Sequence, residues 1–179
     1  SKRKRVSEPA INAIKLADLR GMGGAGFRTH IKWTAVRDEP SNVKYVVCNG
    51  DECEPGTFKD RELLRRTPWL QVQGMVMAGL VPGAERGWIY IRHEYHEEIE
   101  LMEQAIRQAE QDGICGKNIL GSNLSFPLEV FVSPGGYICG EESALLEAME
   151  DRRAEPRNKP PFPVIEGLWH QPTALNNVE

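Results

Sequence analysis

Close-set cysteines, long apolar runs and a strong charge of either sign are all missing from this sequence, and each absence removes a class of function. Cys48, Cys53, Cys115 and Cys139 lack the C-x-x-C spacing of a structural zinc or a ferredoxin-type cluster, so no metal site is expected. His30, His93, His96 and His170 are scattered and read as surface or capping groups. A chain of 179 residues can bury roughly 70% of the surface its unfolded form exposes, which makes one domain the simplest reading and a disulfide framework unnecessary. Free thiols in a reducing cytoplasm follow. The apolar runs fall far short of the roughly 20 residues a membrane helix needs, so no direct membrane insertion is expected. A formal charge of -4 gives no reason to expect a nucleic-acid partner. The basic opening Ser1-Lys2-Arg3-Lys4-Arg5 is too short to change that, and no apolar run follows it to make a signal peptide.

Glycine, by contrast, is concentrated. Gly21-Met22-Gly23-Gly24-Ala25-Gly26-Phe27 places four glycines in six positions, each giving up more backbone entropy on folding than another residue would. Two readings fit: a backbone cradle for a phosphate or nucleotide, and a purely structural turn. No Lys-Ser or Lys-Thr pair closes the loop as in Walker A, and the residues before it, Pro9 to Leu19, read as a short helix rather than the strand of a dinucleotide fingerprint. Lys32 could lend charge to an anion if Thr29 caps the next helix, and is otherwise a surface lysine. Trp33 reads as core.

Val43 to Cys48 has the β-branched and aromatic make-up of a buried parallel strand. It runs into Asn49-Gly50-Asp51-Glu52-Cys53-Glu54-Pro55-Gly56, three carboxylates in four residues, read either as the wall of a ligand crevice or as an acidic surface turn. Helices are expected over Asp60 to Arg66 and Trp69 to Leu80, the latter capped by Thr67, entered through Pro68 and packing its methionines in the core. A strand at Trp88 to Arg92 and a long helix from Glu94 to Gln111, stopped at Gly113, come next. Leu128 to Val132 reads as a third strand, leading to Ser133-Pro134-Gly135-Gly136-Tyr137-Ile138-Cys139-Gly140-Glu141-Glu142-Ser143 and a helix to Met149. Strand, glycine-bearing turn, carboxylates and helix thus occur twice. The fold class expected is α/β, a Rossmann-like parallel sheet flanked by helices and carrying the glycine-rich loop. Regular structure fades after Glu150 through the stiff Pro156 to Pro163, with Phe162 and Trp169 packing back onto the domain, and no terminal element is evident. The division expected is a basic segment and short helix over 1–20 and the ligand-binding domain over 21–179.

Together these stretches resemble the flavin-binding part of the NADH-oxidising 51-kDa (NuoF) subunit of respiratory complex I, whose relatives serve NAD-linked formate dehydrogenases and bidirectional hydrogenases. The matching segments are Gly21 to Phe27 with Lys32-Trp33, Asn49 to Arg61, Tyr137 to Leu146, Lys159 to Pro163 and Pro172 to Glu179. The resemblance implies that Gly21, Gly23, Gly24 and Lys32 cradle FMN, with Asn49, Asp51 and Glu52 near its ribityl chain or ring and Asn176 and Asn177 near its phosphate. Gly140 and Glu141 would lie beside its reactive face. NADH would bind over the same flavin, with Phe27 on the adenine side, Glu54 at the ribose hydroxyls, Glu142 at the nicotinamide end, and Lys159 and Phe162 in support. A carboxylate at Glu54 accepts from ribose hydroxyls and repels a 2′-phosphate, which favours NADH over NADPH. No catalytic side chain is expected, because hydride transfer to a flavin needs stacking and orientation rather than an acid or base.

Electrons would leave singly to iron–sulfur subunits, among them a thioredoxin-like [2Fe-2S] partner, and end at quinone. The family's β-grasp domain and [4Fe-4S] bundle are absent, so the chain reads as a fragment, with a [4Fe-4S] cluster expected only in the missing part or in partner chains. The location implied is cytoplasmic, peripheral to the inner membrane face through a larger complex. Departures stand out as well: Ala35 replaces a second adenine-stacking aromatic, Met22 an Arg, Arg28 a Pro, His170 a Gly and Gly50 an Ala. Three other readings remain: the formate dehydrogenase or hydrogenase subunit, a flavin site exchanging electrons with ferredoxin, which Glu142 and the Lys-Pro-Pro-Phe stretch disfavour, and a flavin-free structural module.

Overall fold

A computed structural model describes the backbone of residues 2–179 and the side chains of 7–179; Ser1 and the side chains of the basic opening lie outside the described residues. The elements run α1 (Lys2–Leu16), α2 (Thr29–Asp38), β1 (Tyr45–Gly50), α3 (Lys59–Arg66), α4 (Pro68–Leu80), β2 (Arg86–Arg92), α5 (His96–Gln111), β3 (Leu128–Ser133), α6 (Glu142–Met149) and β4 (Thr173–Asn177). The four strands form one sheet in the order β3-β2-β1-β4, every pairing parallel. The Rossmann-like α/β class is therefore observed.

Strand alternation sorts the sheet into two faces. Val46, Cys48, Ile89, Ile91 and Ala174 point into a core shared with Trp33 of α2, Leu64 of α3, Met75 of α4 and Met102 of α5. Val47, Trp88, Tyr90 and Leu175 point the other way, onto Leu145, Leu146 and Met149 of α6. Burial on both faces explains why β1 and β2 read as nearly continuous apolar runs. Gly79 and Gly87 make room for one ring: a Cβ on either would come within 2.2 Å and 2.6 Å of Phe126, which is fully buried.

Several elements differ from the sequence reading. The chain does not lose regular structure at its end, because Thr173–Asn177 pairs with β1 as an edge strand. Its Thr-Ala-Leu-Asn-Asn sequence is weak in β-branched residues, and the backbone pairing with β1 supplies what propensity does not. Pro9 lies inside α1 instead of opening it. The helix stops before Leu19, where Asp18 turns left-handed at φ 46°, and Leu19 is exposed. Thr29 is the first residue of α2 rather than its cap and is buried. Thr67 donates its hydroxyl to Leu63 O at 2.8 Å, closing α3 instead of capping α4. Met75 is core, but Met77 is half exposed.

Candidate functional site

With β2 and β3 laid to one side of β1 and β4 to the other, the strand order reverses between β1 and β4. A parallel sheet opens a crevice at such a point, outside the carboxyl ends of its strands. Here the register sets Cys48 beside Asn176 and Asn49 beside Asn177, so β1 and β4 deliver their amides together.

The glycine loop is pinched at its neck. Gly21 N–H donates to Phe27 O at 2.9 Å and Thr29 N–H to Leu19 O at 3.0 Å, while Asp18 forms ion pairs with Arg20 and Arg28 at 2.9 Å and 3.1 Å. These contacts return the chain on itself and leave the tip free, with Gly24 and Gly26 at φ 106° and 61°, where only glycine is unstrained. Gly23 lies against Asn177, whose Cβ a side chain at Gly23 would meet at 3.7 Å.

The first acidic turn is fixed by its own side chains. Asn49 Nδ2 donates to Gly140 O at 2.9 Å, tying the turn after β1 to the turn after β3. Glu52 is buried and accepts from the N–H groups of Asp60 and Arg61 at 2.8 Å and 3.2 Å and from the Tyr95 hydroxyl at 3.1 Å, so its charge sits on the N-terminus of α3. Glu54 is exposed and accepts from Tyr137 of the second turn at 2.6 Å. Asp51 is buried, with one oxygen unpartnered. Burial raises its carboxyl above the usual range, against the Cys53 thiol, the Ser133 hydroxyl and Arg92, which pull it down.

The second turn repeats the device. Glu141 caps α6 through Ser143 N–H and Ala144 N–H, both at 2.9 Å. Burial would raise its carboxyl, but Ser143, Lys159 and the Ala144 N–H outweigh burial and hold it low. Lys159 bridges Glu141 and Glu142 at 2.9 Å and 2.7 Å. Burial pulls its ammonium down, yet the two carboxylates keep it above the ordinary lysine range. Lys32 donates to Leu175 O and lies 5.9 Å from the centre of the Phe27 ring; burial lowers its pKa despite Glu142.

These parts enclose two adjoining hollows. One of about 610 Å³ is lined by Gly21, Gly23, Phe27, Lys32, Asn49, Gly140, Glu141, Glu142, Lys159, Phe162, Asn176 and Asn177. A second, of about 440 Å³, shares Gly23, Asn49, Gly140, Glu141 and Asn177 and adds Asp51, Glu52 and Glu54. Gly24 lines neither, its place being taken by Ala25 and Gly26. The sequence reading missed Ile31, Val164, Thr173 and Leu175 as walls of the larger hollow, and Tyr137, Lys59 and Asp60 as walls of the smaller. Lys59 donates to Asn177 Oδ1 at 2.8 Å, and Asn177 Nδ2 to Asp60 at 2.7 Å. Asn176 accepts from the Trp33 indole at 3.1 Å. Lys59 lies just before the charged helix expected from Asp60, and the structure makes it the first residue of α3.

A flat aromatic group with a polar edge and an anionic tail fits this cleft. The volumes lie in the range of small-molecule sites. Phe27 and Phe162, each about half exposed, supply apolar walls, and Lys32 supplies positive charge, that of Lys159 being balanced by Glu141 and Glu142. The unpartnered oxygen of Asp51 lacks a donor. At Gly140 a Cβ would come 3.1 Å from Asp51 O, so the backbone there stays bare.

A parallel sheet with these features at its switch point defines a nucleotide-type cofactor domain. The chain belongs to the Nuo51 FMN-binding domain family, whose model matches residues 14–179. It is 48% identical over 170 residues to the F subunit of the NADH-quinone oxidoreductase of Escherichia coli (strain K12), covering 94% of this chain and 38% of the relative. The corresponding protein of Aquifex aeolicus (strain VF5) is 47% identical over 174 residues, covering 96% and 40%. The alpha subunit of the NAD-reducing hydrogenase HoxS of Cupriavidus necator is 46% identical over 173 residues, covering 96% and 29%. The air-oxidised crystal structure of an NAD+-reducing [NiFe]-hydrogenase superposes with a TM-score of 0.85 at 39% identity, covering 96% of this chain and 28% of that one. The chain thus spans well under half the length of these relatives. Among the described residues no helix is long and apolar enough to cross a membrane.

Proposed function

We propose that this chain is the flavin-bearing part of an NADH dehydrogenase flavoprotein, with residues 21–179 as the FMN- and NADH-binding unit and 1–20 as a basic lead-in. The convergence of the glycine loop and both carboxylate turns on the β1/β4 switch point carries the reading. Bound FMN supplies two-electron acceptance from NADH and one-electron release. The chain supplies the rest: Lys32 and the loop N–H groups face anionic oxygens, Phe27 and Phe162 flank a ring, Lys159 holds Glu141 and Glu142 in place, and Glu141 and Glu52, spent on helix N-termini, hold the walls rigid. Glu54 keeps one oxygen outside its Tyr137 contact for ribose hydroxyls, and its charge opposes the 2′-phosphate of NADPH.

The NADH-quinone oxidoreductase relatives favour quinone as the final acceptor. As the sequence resemblance implies, the electrons reach it through iron–sulfur partners that include a thioredoxin-like [2Fe-2S] chain, with any [4Fe-4S] cluster outside these residues. Such a protein works in the cytoplasm, peripheral to the membrane. The hydrogenase relatives support a second reading, the same flavin domain serving a NAD-linked hydrogenase. Glu54→Gln tests the shared core of both. It raises the NADH concentration needed to reduce bound FMN about tenfold and leaves FMN affinity unchanged; equal loss of both means that Glu54 is misassigned.

A further inference from the structure

The wall of the smaller hollow contains a hydrogen bond that neither ligand assignment uses. Cys53 Sγ donates to Asp51 Oδ2 at 3.3 Å, while Asp51 Oδ1 has no partner, in a residue only 7% exposed. A buried carboxylate this poorly satisfied depends on whatever donors remain. Arg92, at the end of β2, is already committed: its guanidinium holds Glu94 at 2.9 Å and 2.7 Å and donates to Glu52 O at 2.6 Å. Ser133, at the end of β3, accepts from the Tyr90 hydroxyl at 2.9 Å and Gly135 N–H at 3.1 Å, which leaves its own hydroxyl proton to turn toward Asp51 and lower its carboxyl beside the Cys53 thiol. Gly140 brings no side chain, and Cys139 donates to Gly135 O at 3.4 Å. Glu94 adds a like charge. Cys53 itself is half-buried and, through burial and the nearby Asp51 charge, pushed up to about 11, so at neutral pH it keeps its proton and donates.

We propose that Cys53 is a positioning residue whose thiol anchors one oxygen of Asp51 and keeps that carboxylate ionised at the cleft wall, ready for an N–H or O–H donor of the bound cofactor. This deepens the flavin reading by naming what sets the charge beside the flavin's polar edge. A ligand donor meets a pre-oriented acceptor, and the charge it meets depends on a thiol two residues away.

The first test needs no flavin. In the full 179-residue chain labelled at aspartate carboxyl carbons, NMR titration follows Asp51 directly. Cys53→Ala raises its midpoint by about one pH unit, and Cys53→Ser, which keeps an O–H donor, holds it near the parent value. Cys53→Val, apolar and without a donor, stands in if the alanine variant loosens the fold. In the FMN-loaded protein, the pH at which the flavin midpoint potential changes slope moves with Asp51. An unmoved midpoint, or equal shifts for serine and alanine, overturns the proposal. Failure of the parent chain to take up FMN defeats the flavin reading and leaves the Asp51 titration to decide this one.

Discussion

Glu52 and Glu54 stand two positions apart in one acidic run, and burial gives them different tasks. Glu52 is spent on the N-terminus of α3 and the Tyr95 hydroxyl, so Glu52→Ala strands three donors and lowers stability by about 2–4 kcal/mol in urea unfolding. Glu54 is exposed with a single partner, and its replacement leaves unfolding unchanged. The sequence showed a cluster of carboxylates but not which one the fold consumes, because capping depends on where α3 begins. Asp51 carries a pH signature. Its carboxyl lies above its unfolded value of 3.8, so between that value and the folded one the native state holds the extra proton, and stability falls as pH rises. Asp51→Asn removes this contribution: its stability relative to the parent improves as pH rises from Asp51's unfolded value of 3.8 through its raised folded value in the unloaded chain. A difference that stays flat with pH contradicts a desolvated Asp51.

At the scale of elements, β4 is the piece that makes the cleft and the piece the sequence concealed. Asn176 and Asn177 were recognisable as candidate ligand residues, but the strand beneath them was not, since five residues of modest β-propensity give no period to read. Long-range contacts hold it: Lys32 and the Trp33 indole of α2 reach Leu175 O and Asn176 Oδ1. Trp33→Phe keeps the buried ring and loses the N–H, at about 1 kcal/mol of stability, and weakens FMN about threefold to tenfold by freeing Asn176. Unchanged FMN affinity would separate β4 from the site. The α4–β2 contact is tight where Gly79 and Gly87 meet Phe126. Gly79→Ala overpacks it by on the order of 2 kcal/mol, and adding Phe126→Leu recovers part of the loss in thermal unfolding.

For the whole molecule, the alternation of strands and helices was legible because β1 and β2 are buried on both faces and α5 has a clear apolar stripe. Strand order was not legible, since nothing local in Thr173–Asn177 says that it returns to the far side of β1. That return creates the switch point, and with it a reason for glycine loop, Asn49, Gly140 and Asn177 to meet although they are scattered from residue 21 to residue 177. The contact of Asn49 with Gly140 joins the two acidic turns and makes their repetition in sequence a single wall in space.

Anaerobic titration of the FMN-loaded chain, followed by flavin absorbance, tests the central claim most directly. NADH bleaches the bound flavin in proportion to the amount added, and NADPH at equal concentration leaves it coloured. A chain that stays colourless when offered FMN, or a bound flavin that NADH does not bleach, contradicts the account.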